Sequence, residues 1–187
     1  MNTIFSRNNL QKPSKIMKNA ISLVTSGYDF VVYVSSLVNS NDRLGIVTSL
    51  IPNQHYKISP IRSKAKTIFL EDLKKFSLYL EEHLNNHLKD DSHIFMGYDC
   101  TFQIQALGGV ISPYGNIPPE DGDMFTIRCL VNVTDTESTS FSDYFGGEST
   151  VTVGNCRKFI KLLKENYFEF KDVLLLRSPD LKDRVEE

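Results

Sequence analysis

No stretch of this 187-residue chain approaches the ~18 consecutive apolar residues that a membrane-spanning helix requires. Its first residues also lack the basic, apolar and small-residue succession of a secretory signal. Missing too are the local signatures of common catalytic and nucleotide sites. There is no GxxxxGK followed by Ser or Thr and no GxGxxG to cradle phosphates, no HExxH to hold a catalytic zinc, and no GxSxG around a nucleophilic serine. Cysteine is scarce: Cys100, Cys129 and Cys156 are odd in number, lack CxxC spacing, and sit among apolar neighbours. They read as small buried hydrophobes in a reducing compartment, which excludes a disulfide framework and a cysteine zinc site. With 41% apolar and 24% charged residues, the composition is that of an ordinary globular protein, and a soluble, cytoplasmic chain is expected.

The net charge of -2 argues against general attraction to nucleic acid or anionic membrane, but the charges are segregated. Arg43, Lys57, Arg62, Lys64 and Lys66 occupy the stretch 43–66 without a carboxylate, and Arg7, Lys12, Lys15 and Lys18 do the same over 1–19. From 116 to 148 the balance reverses, with Glu120, Asp121, Asp123, Asp135, Glu137, Asp143 and Glu148 against Arg128 alone. Such asymmetry bears on partners rather than on fold.

Hydrophobic period supplies the elements. Ser14 is placed to cap a short helix to about Val24, with Ile16, Met17, Ala20, Ile21 and Val24 on one side; the competing expectation is a strand from Ile21 to Thr25. Phe30–Leu37 and Leu44–Ile51, joined by Asn39–Asp42, predict a hairpin. After a basic loop from Pro52 to Lys66, Thr67–Leu70 predicts a short strand. A helix follows, its first amides served by Asp72 and its stripe formed by Leu73, Phe76, Leu80, Leu84 and Leu88. Cys100, Phe102, Ile104 and Ala106 alternate with polar residues, as do Phe125, Ile127, Cys129, Val131 and Val133, so two half-buried strands are expected. Gly108–Gly109 should break the first of these. A Ser/Thr/Asp loop over 135–147, with Gly146–Gly147 as a tight turn or bulge, leads to a strand Ser149–Val153. A second helix is then expected, capped by Asn155, with Cys156, Phe159, Ile160, Leu163 and Tyr167 inward; Val173–Leu176 is a candidate last strand, and the charged end from Arg177 should fray.

Residues 67–82 align without a gap on 150–165, with five identities in sixteen pairs, as though one strand-to-helix unit were written twice. The expected fold is α+β, a mostly antiparallel sheet with two main helices and a short N-terminal helix, in a tandem βββα order. One compact domain over 1–187 is expected, with pseudo-repeats at about 28–90 and 98–167.

Candidate chemistry is sparse. His83 and His87 stand four apart on the first helix, with Asp91 and His93 behind, a spacing able to offer two imidazoles to a metal; His87 lies close to the leucine stripe by helical angle and so reads as a partly buried structural histidine. No metal, cofactor or catalytic set is expected. The acidic run Glu120-Asp-Gly-Asp123 reads as a solvated hairpin tip. The expected function is therefore non-enzymatic protein–protein binding, as in an immunity or inhibitor protein or a subunit of a larger assembly, with loops 116–123 and 135–148 meeting a basic partner surface. The candidate contacts are Tyr114, Glu120, Asp121, Asp123, Phe141, Asp143, Tyr144 and Phe145. The alternative is a nucleic-acid accessory protein using Tyr56, Lys57, Arg62, Lys64 and Lys66 for stacking and phosphate contact. A metal-dependent hydrolase built on His83 and His87 is the third possibility.

Overall fold

Alternating apolar residues at period two drive the first part of the chain into a meander, because each strand can then bury one face against a common core. The computed structural model describes residues 19–37, 42–97, 100–110, 122–134 and 143–177. Expectations placed on 14–18, 39–41, 111–121, 135–142 and 178–187 lie outside these described residues. Strands β1 (Asn19–Val24), β2 (Tyr28–Leu37) and β3 (Arg43–Pro52) pair in antiparallel succession. The far edge of β3 is shared by two short strands, β4 (Ile61–Arg62) and β5 (Lys66–Phe69), which complete a five-stranded sheet. Ile21, Leu23, Phe30, Val32, Val34, Leu44, Ile46 and Leu50 form its buried face.

Helix α1 (Leu70–Asn86) leaves β5 directly. Asp72 secures its start by accepting the Phe69 N–H at 3.1 Å. A second antiparallel sheet follows in the order β6 (Phe95–Met96), β7 (Phe102–Val110), β8 (Met124–Asn132) and β9 (Tyr144–Thr152), and α2 (Val153–Arg177) leaves β9 as α1 leaves β5. Leu70 and Val153, which the sequence alignment places opposite each other, each begin a helix. The fold is thus α+β, with two antiparallel sheets and two helices. Phe102, Ile104, Ala106, Phe125, Ile127, Cys129 and Val131 are buried on the strand faces that alternation assigns them.

Several elements differ from their sequence expectation. Residues 19–24 are a strand rather than the end of a helix: Ile21 and Leu23 are buried while Ala20 and Val24 are exposed, a period of two that β2 satisfies by pairing. Residues 173–176 continue α2, since Phe170 and Leu174 extend its buried stripe and adding a turn to a formed helix is far easier than starting a new element. Gly108–Gly109 do not end β7 but carry its register shift opposite β8. Gly146–Gly147 lie inside β9, opposite Leu130 and Cys129, so the expected loop ends earlier. Thr152, not Asn155, caps α2, its hydroxyl accepting the Asn155 N–H at 3.1 Å. Cys100 is only partly buried and adopts φ 51°, with its carbonyl accepting from Asn132 Nδ2 at 2.9 Å and Tyr144 Oη at 2.8 Å.

Both sheets and both helices meet in one apolar cluster. At its centre Phe30 of β2 lies 5.6 Å from Phe102 of β7, measured between ring centroids, and 6.4 Å from Phe159 of α2. Phe76 of α1 lies 5.4 Å from Phe102 and 5.6 Å from Phe159. These tilted and edge-on geometries are the favoured ones for aromatic pairs. Outside the cluster, Lys164 of α2 joins Glu81 of α1 at 2.6 Å. Truncation of the central ring in Phe76→Ala is expected to lower stability by about 3–5 kcal/mol. Urea unfolding should show both sheets lost in one transition, because the ring belongs to the core of both.

Candidate interaction surface

The segment Thr25-Ser-Gly-Tyr28 turns β1 into β2 and docks on β9, joining the two sheets by hydrogen bonds. Ser26 N–H donates to the Thr150 carbonyl at 2.8 Å, and the Thr150 N–H donates to Ser26 Oγ at 3.3 Å. Ser149 Oγ, buried at the same place, accepts from Thr25 Oγ1 and from the Gly27 N–H, each at 2.8 Å. The approach at Gly27 is close, since a Cβ there would stand 3.0 Å from Ser149 Oγ and the hydroxyl would have to shift. Tyr28 Oη then donates to the Gly147 carbonyl at 2.8 Å. Burial raises the Tyr28 phenol far above its ordinary pKa, with Cys129 contributing, so the phenol keeps its proton. Burial likewise pushes the Cys129 thiol up to about 12. Neither group is a nucleophile in this setting.

Beside this seam opens a groove of about 290 Å³. Its floor and walls are Tyr28, Leu50, Pro52 and Ile61 from the first sheet, Tyr56 and Ile58 from the loop before β4, and the backbone of Gly146–Glu148. Tyr56 and Ile58 are 52% and 62% exposed, so the groove has an apolar wall in contact with water. The two glycines shape it differently. A Cβ on Gly146 would collide with the Cys129 carbonyl oxygen, whereas one on Gly147 would meet nothing within 4 Å and would project into open space.

Among the described residues, strand β9 pairs only with β8 and so forms an edge of its sheet. Because Thr150 gives both its backbone groups to Ser26, they point away from β8, and alternation along the strand turns those of Glu148 and Gly146 the same way. Among the described residues these two have no backbone partner on that side. Glu148 sends its side chain to the opposite face of the sheet, where Arg128 Nε donates to it at 3.0 Å.

The expected contact residues divide among several surfaces. Asp143, Tyr144 and Phe145 are adjacent at the start of β9. Phe145 is 61% exposed, and the Asp143 N–H donates to Thr134 Oγ1 at 2.6 Å. Asp123 lies at the other end of β8, its carbonyl accepting the Val153 N–H at 3.0 Å, so nine residues or roughly 30 Å separate it from that group. Tyr114, Glu120, Asp121 and Phe141 lie outside the described residues. In the basic set, Tyr56 lines the groove and Lys57 is exposed between it and Ile58. Arg62 is turned to the outer face of the first sheet, its guanidinium 5.5 Å from the Tyr33 ring centroid. Lys64 is exposed, and Lys66 pairs opposite Ile46. Leu50, Ile61 and Tyr28 escaped sequence reasoning because each reads simply as a core residue. The detectable signal was Gly-Gly ahead of a strand, which marks a close backbone approach. No family model and no curated protein matches the chain.

A second apolar surface lies on the helices. Phe168, 57% exposed, separates a groove of about 410 Å³ lined by Leu84 and Ile160 from one of about 330 Å³ lined by Leu78, Tyr167 and Lys171.

The two helical histidines do not converge. His83, not His87, is buried: it packs 4.7 Å from the Phe125 ring, with Nδ1 2.9 Å from Ser92 Oγ, while His87 is 4.0 Å from Glu82 at the surface. Among the described residues no cluster of three His, Cys, Asp or Glu side chains is placed to hold a metal.

Two outcomes follow from this geometry. Gly146→Ala should destabilise the protein by about 1–3 kcal/mol through overpacking, whereas Gly147→Ala should stay within about 0.5 kcal/mol of the parent, as compared by urea midpoints. Burial, assisted by His87 and opposed by Asp91, lowers the His83 pKa from 6.5 to about 4. The unfolded chain therefore binds this proton at higher pH than the folded one. The resulting stability is present above about pH 6.5 and is lost as pH falls toward 4, by an amount on the order of 2 kcal/mol. Urea titrations across that window should show a shallower acid slope for His83→Phe.

Proposed function

We propose that this chain is a non-enzymatic protein-binding protein, and that the groove beside the sheet-to-sheet seam is its principal contact. The observation that supports this most strongly is the groove itself, which joins the exposed Tyr56 and Ile58 to the backbone of β9, an edge strand among the described residues. Apolar surface beside open backbone groups is favourable to cover, and a protein chain can satisfy both at once. Phe145, exposed on the same strand, offers an aromatic anchor, and exposed Asp143 next to it suits a basic partner side chain. The role such a surface serves is that of an inhibitor or immunity protein in the cytoplasm, or of a subunit in a larger assembly.

The second reading, a nucleic-acid accessory protein, has Tyr56 and Lys57 exposed together in its favour. Against it, Arg62 is directed to another face. Binding of that kind would weaken steeply with salt.

The test is co-purification from the native host with the full chain, comparing the parent with Ile58→Asp in the groove and Phe168→Asp on the helices. Both residues are exposed, so neither change should cost much stability. A protein partner should be retained by the parent and by Phe168→Asp, and retained roughly tenfold less by Ile58→Asp. Equal retention by Ile58→Asp would refute the groove, and a nuclease-sensitive ligand would favour the second reading.

A further inference from the structure

We infer that the partner engages the groove as an extended segment that adds to the second sheet as a new antiparallel strand beside β9. This rests on the protein-binding reading above and specifies the partner's chemistry. The geometry for it is already half built. Ser26 stands beside Thr150 where a residue of a next strand would, its backbone N–H donating to the Thr150 carbonyl as in an antiparallel ladder, while its side-chain Oγ takes the place of a strand carbonyl in accepting the Thr150 N–H. Beyond Ser26 no described residue pairs with the next outward groups of β9, an N–H and a C=O on each of Glu148 and Gly146, which continue the same row. An incoming backbone can satisfy all four without disturbing the β8–β9 ladder, whose bonds belong to the intervening residues.

The side chains of the added strand are constrained as well. On a strand, alternate residues face alternate sides, so one set would project to the groove side of the sheet. There the missing side chain of Gly147 leaves open space beside Tyr28, Leu50, Ile61 and Ile58. An aliphatic or aromatic side chain fits this position; a charged one would be desolvated against apolar walls. Lys57 does not itself line the groove, but it is exposed, follows Tyr56 and precedes Ile58 in the chain, and has no ionic partner among the described residues. Charge complementarity therefore calls for an acidic residue close to the buried apolar one. The occupant is an extended segment of another protein, apolar at the groove and acidic beside it, held mainly by its own main chain.

Short random peptides displayed on phage and selected against the full chain supply the probe, with the best binder then synthesised. The expected consensus combines an apolar residue with a neighbouring Asp or Glu. Binding should slow amide exchange at Glu148 and Gly146, and Lys57→Glu should weaken it roughly tenfold. N-methylation of alternate peptide amides should abolish binding for the set that faces β9 and leave it nearly unchanged for the other set. A peptide that competes with the native partner and is lost with Ile58→Asp, yet protects neither amide and responds equally to both methylation patterns, would overturn strand addition while leaving the protein-binding reading intact. Failure to select any peptide, or selection of peptides blocked by Phe168→Asp instead, would also overturn it. The protein-binding reading itself falls only if the native host yields no protein partner sensitive to Ile58→Asp.

Discussion

Four phenylalanine rings, Phe30, Phe76, Phe102 and Phe159, hold one another at the point where two sheets and two helices converge, and the remaining structure is arranged around that contact. Each ring comes from a different element, so no element can bury its apolar face without the other three. The constraint explains why two meanders, each with its own following helix, share a single core. Large aromatic surfaces contribute most of the favourable burial, while tilted ring geometry selects a particular arrangement among many possible collapses.

Holding the sheets at that spacing creates both a closed seam and an open one. Where the β1–β2 turn reaches β9, hydrogen bonds through Ser26, Gly27, Tyr28 and Ser149 close the gap. A few residues along, the loop carrying Tyr56 and Ile58 stands off from β9 and leaves a groove. Gly146 is needed for close pairing with β8, while Gly147 subtracts a side chain from the groove side. Adjacent glycines thus serve opposite ends: one admits a neighbouring backbone, the other leaves room. Edge strands are commonly blunted by charge, and the only charge on this portion is that of Glu148, which turns to the far face and pairs with Arg128.

Much of the fold was legible because period-two and helical patterns report burial directly. The alternating residues of β7 and β8 and the stripes of both helices point inward as their spacing requires. The matching starts of α1 and α2 follow from equivalent patterns in two segments, whatever the origin of their likeness. Boundaries were less legible where local preference and tertiary continuation disagree. Residues 173–176 look strand-like in isolation but extend an established helical stripe, and Gly146–Gly147 look like a turn but complete an edge strand whose partner is supplied by β8. Of the candidate contacts, the adjacent group Asp143 to Phe145 came from chain proximity, whereas Asp123 was grouped with them through charge alone and lies at the opposite end of β8.

The amino-acid sequence by itself determined the α+β class, the inward faces of the strands and helices, and the burial of Cys129 and Cys156, since each depends on spacing within one element. Only the tertiary structure decided that His83 rather than His87 would be buried, that Arg62 and Tyr56 would face different surfaces, and that residues near 26, 56 and 147 would bound one groove. Those outcomes depend on which elements become neighbours across more than a hundred positions of chain. That choice is made by the shared aromatic core, and no local pattern encodes it.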